Sequence, residues 1–119
     1  MFPNVLSIAG SDPSGGAGIQ ADLKTFAALQ CYGMAAITVL TAQNTRGVTR
    51  LHPVPPDFVA AQIEAIFTDI KVAAVKIGLL GSGAIVDAVA DAIARFNPAF
   101  VIVDPVLSAT SGDQLASED

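Results

Sequence analysis

The sequence predicts an α/β fold, with a mostly parallel central sheet and helices on both faces. Short runs rich in Val, Ile and Ala alternate with longer segments whose apolar residues recur at helical spacing, as parallel strands joined by right-handed crossovers require. Strands buried on both faces read as unbroken apolar runs, which suits a chain that is 52% hydrophobic and only 14% charged. Polar and glycine-rich residues cluster just after the strands, where ligands bind in such sheets. With 119 residues and no repeat or low-complexity linker, the chain supports one domain at most.

The elements follow in order. Residues 4–10 read as a strand that runs straight into a loop of small residues. A helix over 16–30 places Ile19, Leu23, Phe26 and Ala27 on one face. Residues 34–40 form a second buried strand, and Val48 to Val54 a short one closed by Pro53, Pro55 and Pro56. The helix over 57–69 carries the stripe Val59, Ile63, Ile66, Phe67. Ala73 to Ile77 is a strand ending at Gly78, Ser82 caps a helix to Phe96, and Pro98 closes it. Ala99 and Phe100 open a last strand through Val103. Four strand ends are thereby expected to converge: Gly10-Ser11-Asp12, Thr41-Ala42-Gln43-Asn44, Lys76-Ile77-Gly78 and Asp104-Pro105.

Composition excludes several classes of function. A net charge of −5, with six dispersed Lys and Arg, leaves no basic stripe for nucleic acid. No stretch approaches the roughly 18 uninterrupted apolar residues of a membrane span. No basic segment precedes the first apolar run, so the expected location is cytoplasmic. Cys31 is single and cannot form an internal disulfide; it reads as a small packing residue. His52 precedes Pro53 and has no acidic or cysteine partner close in sequence, so it reads as a surface or interface residue rather than a base.

The most informative segment is Ala9-Gly10-Ser11-Asp12-Pro13-Ser14-Gly15-Gly16-Ala17-Gly18-Ile19-Gln20-Ala21-Asp22-Leu23-Lys24. A tight strand-to-helix turn needs one or two glycines. Four, with Ser11, Asp12 and Ser14, point to a binding loop whose bare backbone a ligand can approach. Gly16 is expected to face that ligand and to need a positive φ. Gly10 and Gly15 have the Walker spacing, but Gly16 follows where lysine is required. Gly16-Ala17-Gly18-Ile19-Gln20-Ala21 matches a dinucleotide fingerprint, yet the next strand ends without an acid for a ribose. Lys24 reads as part of a solvated face, and Lys76 as reaching from the sheet end into water.

The opening run resembles, nearly residue for residue, the N-terminal motif of the hydroxymethylpyrimidine and phosphomethylpyrimidine kinases of thiamine biosynthesis, which have a ribokinase-like fold. Thr41-Ala42-Gln43-Asn44, Lys76-Ile77-Gly78-Leu79-Leu80 and Val103-Asp104-Pro105-Val106 with Thr110-Ser111-Gly112-Asp113 resemble further family segments. The resemblance implies phosphoryl transfer from ATP, with Mg2+, to 4-amino-5-hydroxymethyl-2-methylpyrimidine and then to its monophosphate. It implies substrate contacts at Gly10, Ala17, Asp22, Gln43, Leu79 and Val106, and a phosphate and metal region at Asp104. A primary amide such as Gln43 matches the acceptor nitrogen and exocyclic amine of an aminopyrimidine. Asp22 resembles a position near the substrate hydroxymethyl group, and either binds substrate or holds the loop. Leu79 stands where methionine is usual, a swap that keeps the volume of a pocket wall.

The family pattern continues with the residues that seat ATP and a Gly-Thr-Gly-Cys anion hole carrying the catalytic base. Neither is found in these residues, and Cys31 is not that cysteine. The chain is therefore expected to be the N-terminal half of such a kinase, inactive alone, with Val101 and Ile102 left exposed; the parent enzyme is expected to be a homodimer. A pyridoxal or pyridoxine kinase is the nearest alternative, and a non-catalytic binding or assembly module is one of a different class.

Overall fold

The structure is a computed structural model and describes residues 2–105. Val106 and the loop 110–113 lie outside the described residues. The elements are β1 (Asn4–Ala9), α1 (Gly18–Ala28), β2 (Tyr32–Ile37), β3 (Val39–Asn44), β4 (Gly47–Pro53), α2 (Pro56–Phe67), β5 (Ala74–Ile77), α3 (Gly83–Phe96) and β6 (Val101–Val103).

Four strands form one parallel sheet in the order β2-β1-β5-β6. Alternation along β1 sends Leu6 and Ile8 to one face and Ser7 to the other. Leu6 and Ile8 join Met34, Ala36, Val75 and Ile77 against Val59 and Ile63 of α2 and Ile85, Val89 and Ala92 of α3, making the core. The ends of α2 and α3 meet through stacked Phe67 and Phe96 rings, 4.8 Å between centroids. On the opposite face α1 packs on β1 and β2. Gly33 permits this, since a Cβ there would lie 2.9 Å from the Leu23 side chain and 3.1 Å from Phe26. Helices on both faces of a parallel sheet are as the sequence predicts.

Local chemistry sets the helix ends. Gly18 at φ +59° delays α1 by two residues relative to the sequence reading, and Gln30 at φ +61° follows its last turn. Pro56 opens α2 with fixed φ. Ser82 Oγ accepts from the Ile85 N–H at the start of α3, and Asn97 closes it in the left-handed conformation.

One element differs from expectation. The single strand read over 34–40 is two strands broken at Thr38. After Ile37 the chain leaves the parallel sheet, and β3 pairs antiparallel with β4 in a separate two-stranded ribbon. Thr38 holds the break: its hydroxyl donates to the Leu79 carbonyl at 2.6 Å, its N–H to Ala9, and its carbonyl accepts from Val54. Thr41-Ala42-Gln43-Asn44 is therefore part of a ribbon standing beyond the sheet, not the end of a sheet strand.

At the outer edge of β2, the Gln62 amide accepts from the Ile37 N–H and donates to the Ile37 carbonyl, both at 2.9 Å. A side chain thus makes the pair of bonds that another strand would make. At the opposite edge, Ile102 and Val103 are exposed by more than 60% and Val101 by 39%.

Candidate functional site

The site lies at the carboxyl ends of β1, β5 and β6, where the loop entering α1 meets the ribbon. The loop is built around Asp12. Its Oδ1 accepts from the Ser14 N–H and hydroxyl, at 2.9 and 2.6 Å, and its Oδ2 from the Gly16 N–H at 3.0 Å. The Asp12 N–H donates to Gln20 Oε1 at 2.7 Å. A carboxylate of the chain itself thus takes up donors that the glycine-rich loop was expected to offer a ligand.

Burial pushes the Asp12 carboxyl up, but the hydrogen bonds from Ser14, Gly16 and Ala17 outweigh it and hold the group below its ordinary value. A depressed folded-state pKa contributes stability above the unfolded value of about 3.9, which is lost as pH falls through the folded value. Thermal unfolding followed from pH 6 to pH 3 should therefore show a stability loss that Asp12→Asn flattens. Equal slopes for both proteins would mean that the charge does not hold the loop.

Glycine is required at Gly18 rather than Gly16. Gly18 has φ +59°, and a Cβ there would lie 2.4 Å from the Gly10 carbonyl oxygen, which accepts from the Ile19 N–H at 2.9 Å. Gly16 is not among the residues at positive φ, and the nearest atom to a Cβ there is Asp12 Oδ2 at 3.7 Å. Gly15, at φ +87°, has its carbonyl bonded by the Lys24 ammonium at 2.9 Å. Lys24 is exposed as expected, but it also straps the loop to α1.

The structure brings Gly10, Leu79 and the ribbon together. A Cβ on Gly10 would lie 3.1 Å from Leu79 Cδ2 and 3.4 Å from the Val39 carbonyl, so the bare backbone lets these groups close in. The Ser11 N–H donates to that carbonyl at 2.9 Å, and Ser11 Oγ accepts from the Thr41 N–H at 3.2 Å. The Thr41 hydroxyl lies 2.8 Å from the Ser11 carbonyl oxygen and 3.2 Å from the Gln43 amide oxygen, either of which can accept its proton. Gln43 is half-buried, and Ala17 is exposed at the start of α1.

Lys76 differs from the sequence reading. Its ammonium does not reach for water but turns over the α1 face of the sheet to Asp22 Oδ2, at 3.0 Å. The same oxygen accepts from the fully buried Ser7 hydroxyl at 2.6 Å. Lysine 54 residues away in sequence is a partner that no local pattern could reveal. A Cβ at Gly78 would lie 3.0 Å from Lys76 Nζ, so that glycine leaves the ammonium its room.

Asp104 is exposed and follows β6, its N–H bonded to the Ile77 carbonyl at 2.8 Å. Among the described residues no three His, Cys, Asp or Glu side chains are grouped to hold a metal ion. Among them, too, no helix is long and apolar enough to cross a membrane.

This combination of loop, ribbon and sheet end has known counterparts. The sequence model of the family described as phosphomethylpyrimidine kinase matches residues 12–119. The chain belongs to this family. It is 54% identical over 114 residues to the hydroxymethylpyrimidine/phosphomethylpyrimidine kinase of Escherichia coli, covering 96% of this chain and 43% of the relative. It is also 54% identical over 113 residues to a thiamine biosynthesis multifunctional protein of Corynebacterium glutamicum, covering 95% of this chain and 15% of that protein. The crystal structure of phosphomethylpyrimidine kinase from Clostridium difficile superposes with a TM-score of 0.90 at 47% identity, over 98% of this chain and 50% of that one. The pyridoxal kinase of Staphylococcus aureus in complex with AMP-PCP and pyridoxal gives a TM-score of 0.79 at 38% identity, over 89% of this chain and 40% of that one. The chain thus spans less than half the length of the E. coli kinase, and the ribokinase-like fold read from the sequence is that of its structural neighbours.

Proposed function

We propose that this chain supplies the pyrimidine-holding part of a kinase that moves the γ-phosphoryl of ATP to 4-amino-5-hydroxymethyl-2-methylpyrimidine, and then to its monophosphate. The names of the relatives support the substrate class, and the observation that carries the reading is the seam joining Gly10 and Ser11 to Val39 and Thr41. It ties the ribbon that carries Gln43 to the loop beginning at Gly10, whose bare backbone Leu79 approaches closely. The amide is proposed to read the ring's acceptor nitrogen and exocyclic amine. Leu79 and Val106 are proposed as apolar walls, and Ala17 as a contact at the start of α1. The bonds from Ser7 and Lys76 to Asp22 fasten α1 to β1 and β5, which favours a structural role for that carboxylate over a substrate contact.

Asp104 fits magnesium as a single exposed carboxylate at a strand end, because Mg2+ usually keeps several waters and takes one or two carboxylates plus phosphate oxygens. When bound, the ion would neutralise charge on the transferring phosphates. Asp104 would orient it through water. The complete enzyme is proposed to be cytoplasmic and homodimeric, with ATP seated largely by residues outside this chain.

Gln43→Leu in the intact protein tests the reading. It should lower kcat/KM for the aminopyrimidine by about 1–3 kcal/mol, while the KM for ATP stays within about twofold. Unchanged kcat/KM would remove Gln43 from the pocket. Pyridoxal kinase activity is the second reading, favoured by the likeness to the S. aureus enzyme. A preference for pyridoxal in the same kinetics would establish it instead.

A further inference from the structure

The geometry points to Thr41 as a specificity-determining residue that fixes which way the Gln43 amide faces. The inference rests on the proposed role of Gln43 in reading the ring. A threonine hydroxyl has one proton, and here two oxygens compete for it: the Ser11 carbonyl oxygen at 2.8 Å and, as the amide is placed, Gln43 Oε1 at 3.2 Å. The first distance is the usual one for O–H···O, whereas the second lies beyond that range and at the end of the N–H···O range. The proton therefore goes to Ser11. The Thr41 oxygen is left with lone pairs alone toward Gln43.

Gln43 Oε1, kept in that place, would face another oxygen without a proton between them. The oxygen and nitrogen of a primary amide exchange by a half-turn about the last side-chain bond, so the amide takes the orientation that the proton count demands. Gln43 then donates from Nε2 to Thr41, Thr41 donates to Ser11, and the chain of donors ends on a backbone carbonyl. Backbone geometry holds that end fixed, because the Thr41 N–H is bonded to Ser11 Oγ and the Ser11 N–H to Val39.

Counted outward from Thr41, the edge left for a ligand runs N–H first and carbonyl oxygen second. A ring with an acceptor nitrogen followed by an exocyclic amine satisfies both groups. The 4-oxo counterpart, with a ring N–H followed by a carbonyl, meets donor with donor and acceptor with acceptor. Discrimination between these rings thus resides in a hydroxyl that need not touch either of them.

The test compares kcat/KM of the intact protein for the 4-amino ring and for its 4-oxo counterpart. Wild type should favour the amino ring by about 100-fold or more, as sites left with unpaired polar groups do. Thr41→Val, which frees the amide to turn, should cut that ratio at least tenfold, and Thr41→Ser should restore it. An unchanged ratio in Thr41→Val overturns the inference, even if both activities fall together. A second measurement does not depend on the variants or on catalysis. In the ligand-free protein, a Gln43 side-chain NH2 proton should show a nuclear Overhauser contact to the Thr41 side chain, and absence of that contact overturns the inference too. Should Gln43→Leu leave pyrimidine kinetics untouched while the contact is present, the proposed ring-reading fails and the amide orientation stands.

Discussion

Gly18→Ala is expected to destabilise the protein by about 2–4 kcal/mol and to abolish the pyrimidine binding proposed above. The left-handed conformation at φ +59° costs an L-residue about 1–2 kcal/mol. The added Cβ would also lie 2.4 Å from the Gly10 carbonyl oxygen, a contact that cannot form without moving backbone. The atom that must give way belongs to the residue that leaves room for Leu79 and Val39, so the strain passes directly into the site. Gly16→Ala, two residues away, should stay within about 0.5 kcal/mol of wild type, because its backbone is unrestricted and its Cβ has space. Urea denaturation and calorimetric titration with the pyrimidine measure both effects. Equal stability of the two variants would show that the turn from β1 into α1 does not depend on Gly18.

Lys76→Met should cost about 1–3 kcal/mol. The pair with Asp22 is only partly screened, with side-chain exposures of 22% and 17%, and the shared oxygen also accepts from the buried Ser7 hydroxyl. Removing the ammonium leaves a carboxylate with a single hydroxyl partner on a face of the sheet covered by α1. Asp22→Asn should cost less, and the double variant should recover part of the loss, giving a coupling of about 1–2 kcal/mol. Glu64→Gln is the control. It breaks the Glu64–Arg95 pair, whose side chains are 52% and 61% exposed, and should change stability by no more than about 0.5 kcal/mol. A Lys76–Asp22 coupling no larger than that of the exposed pair would mean that the contact is incidental.

These residues show what a sequence can and cannot reveal. The parallel sheet was legible because buried strands and amphipathic helices leave different periodicities, and because glycine and proline punctuate their ends. The break at Thr38 was not, since Ile37-Thr38-Val39-Leu40 continues an apolar run without a turn residue. The one available signal lay downstream: Asn44 Oδ1 accepts from the Arg46 N–H, in an Asn-Thr-Arg-Gly turn that marks a hairpin and therefore an antiparallel partner. Gly16 and Gly18 are alike as letters, and only the approach of the Gly10 carbonyl separates their roles. The Ser7–Asp22–Lys76 cluster joins three elements, and its members acquire meaning only when the register of β1 and β5 sets Ser7 opposite Lys76. Asp12 was legible as part of a polar, glycine-rich loop but not as the anion that takes up that loop's own donors.

The Gln62 amide at the rim of β2 gives the sheet a direction of growth. A strand approaching that rim in register would first have to evict a side chain that is anchored by α2 and makes both bonds to Ile37. Among the described residues the rim at β6 has no comparable guard: Ile102 and Val103 are exposed there, between exposed Phe100 and the Asp104 backbone bonded to Ile77. Among the described residues the two rims thus differ: a strand joining beside Ile37 must displace the chain's own glutamine, whereas one joining beside Asp104, the side on which phosphate chemistry is proposed to occur, displaces nothing.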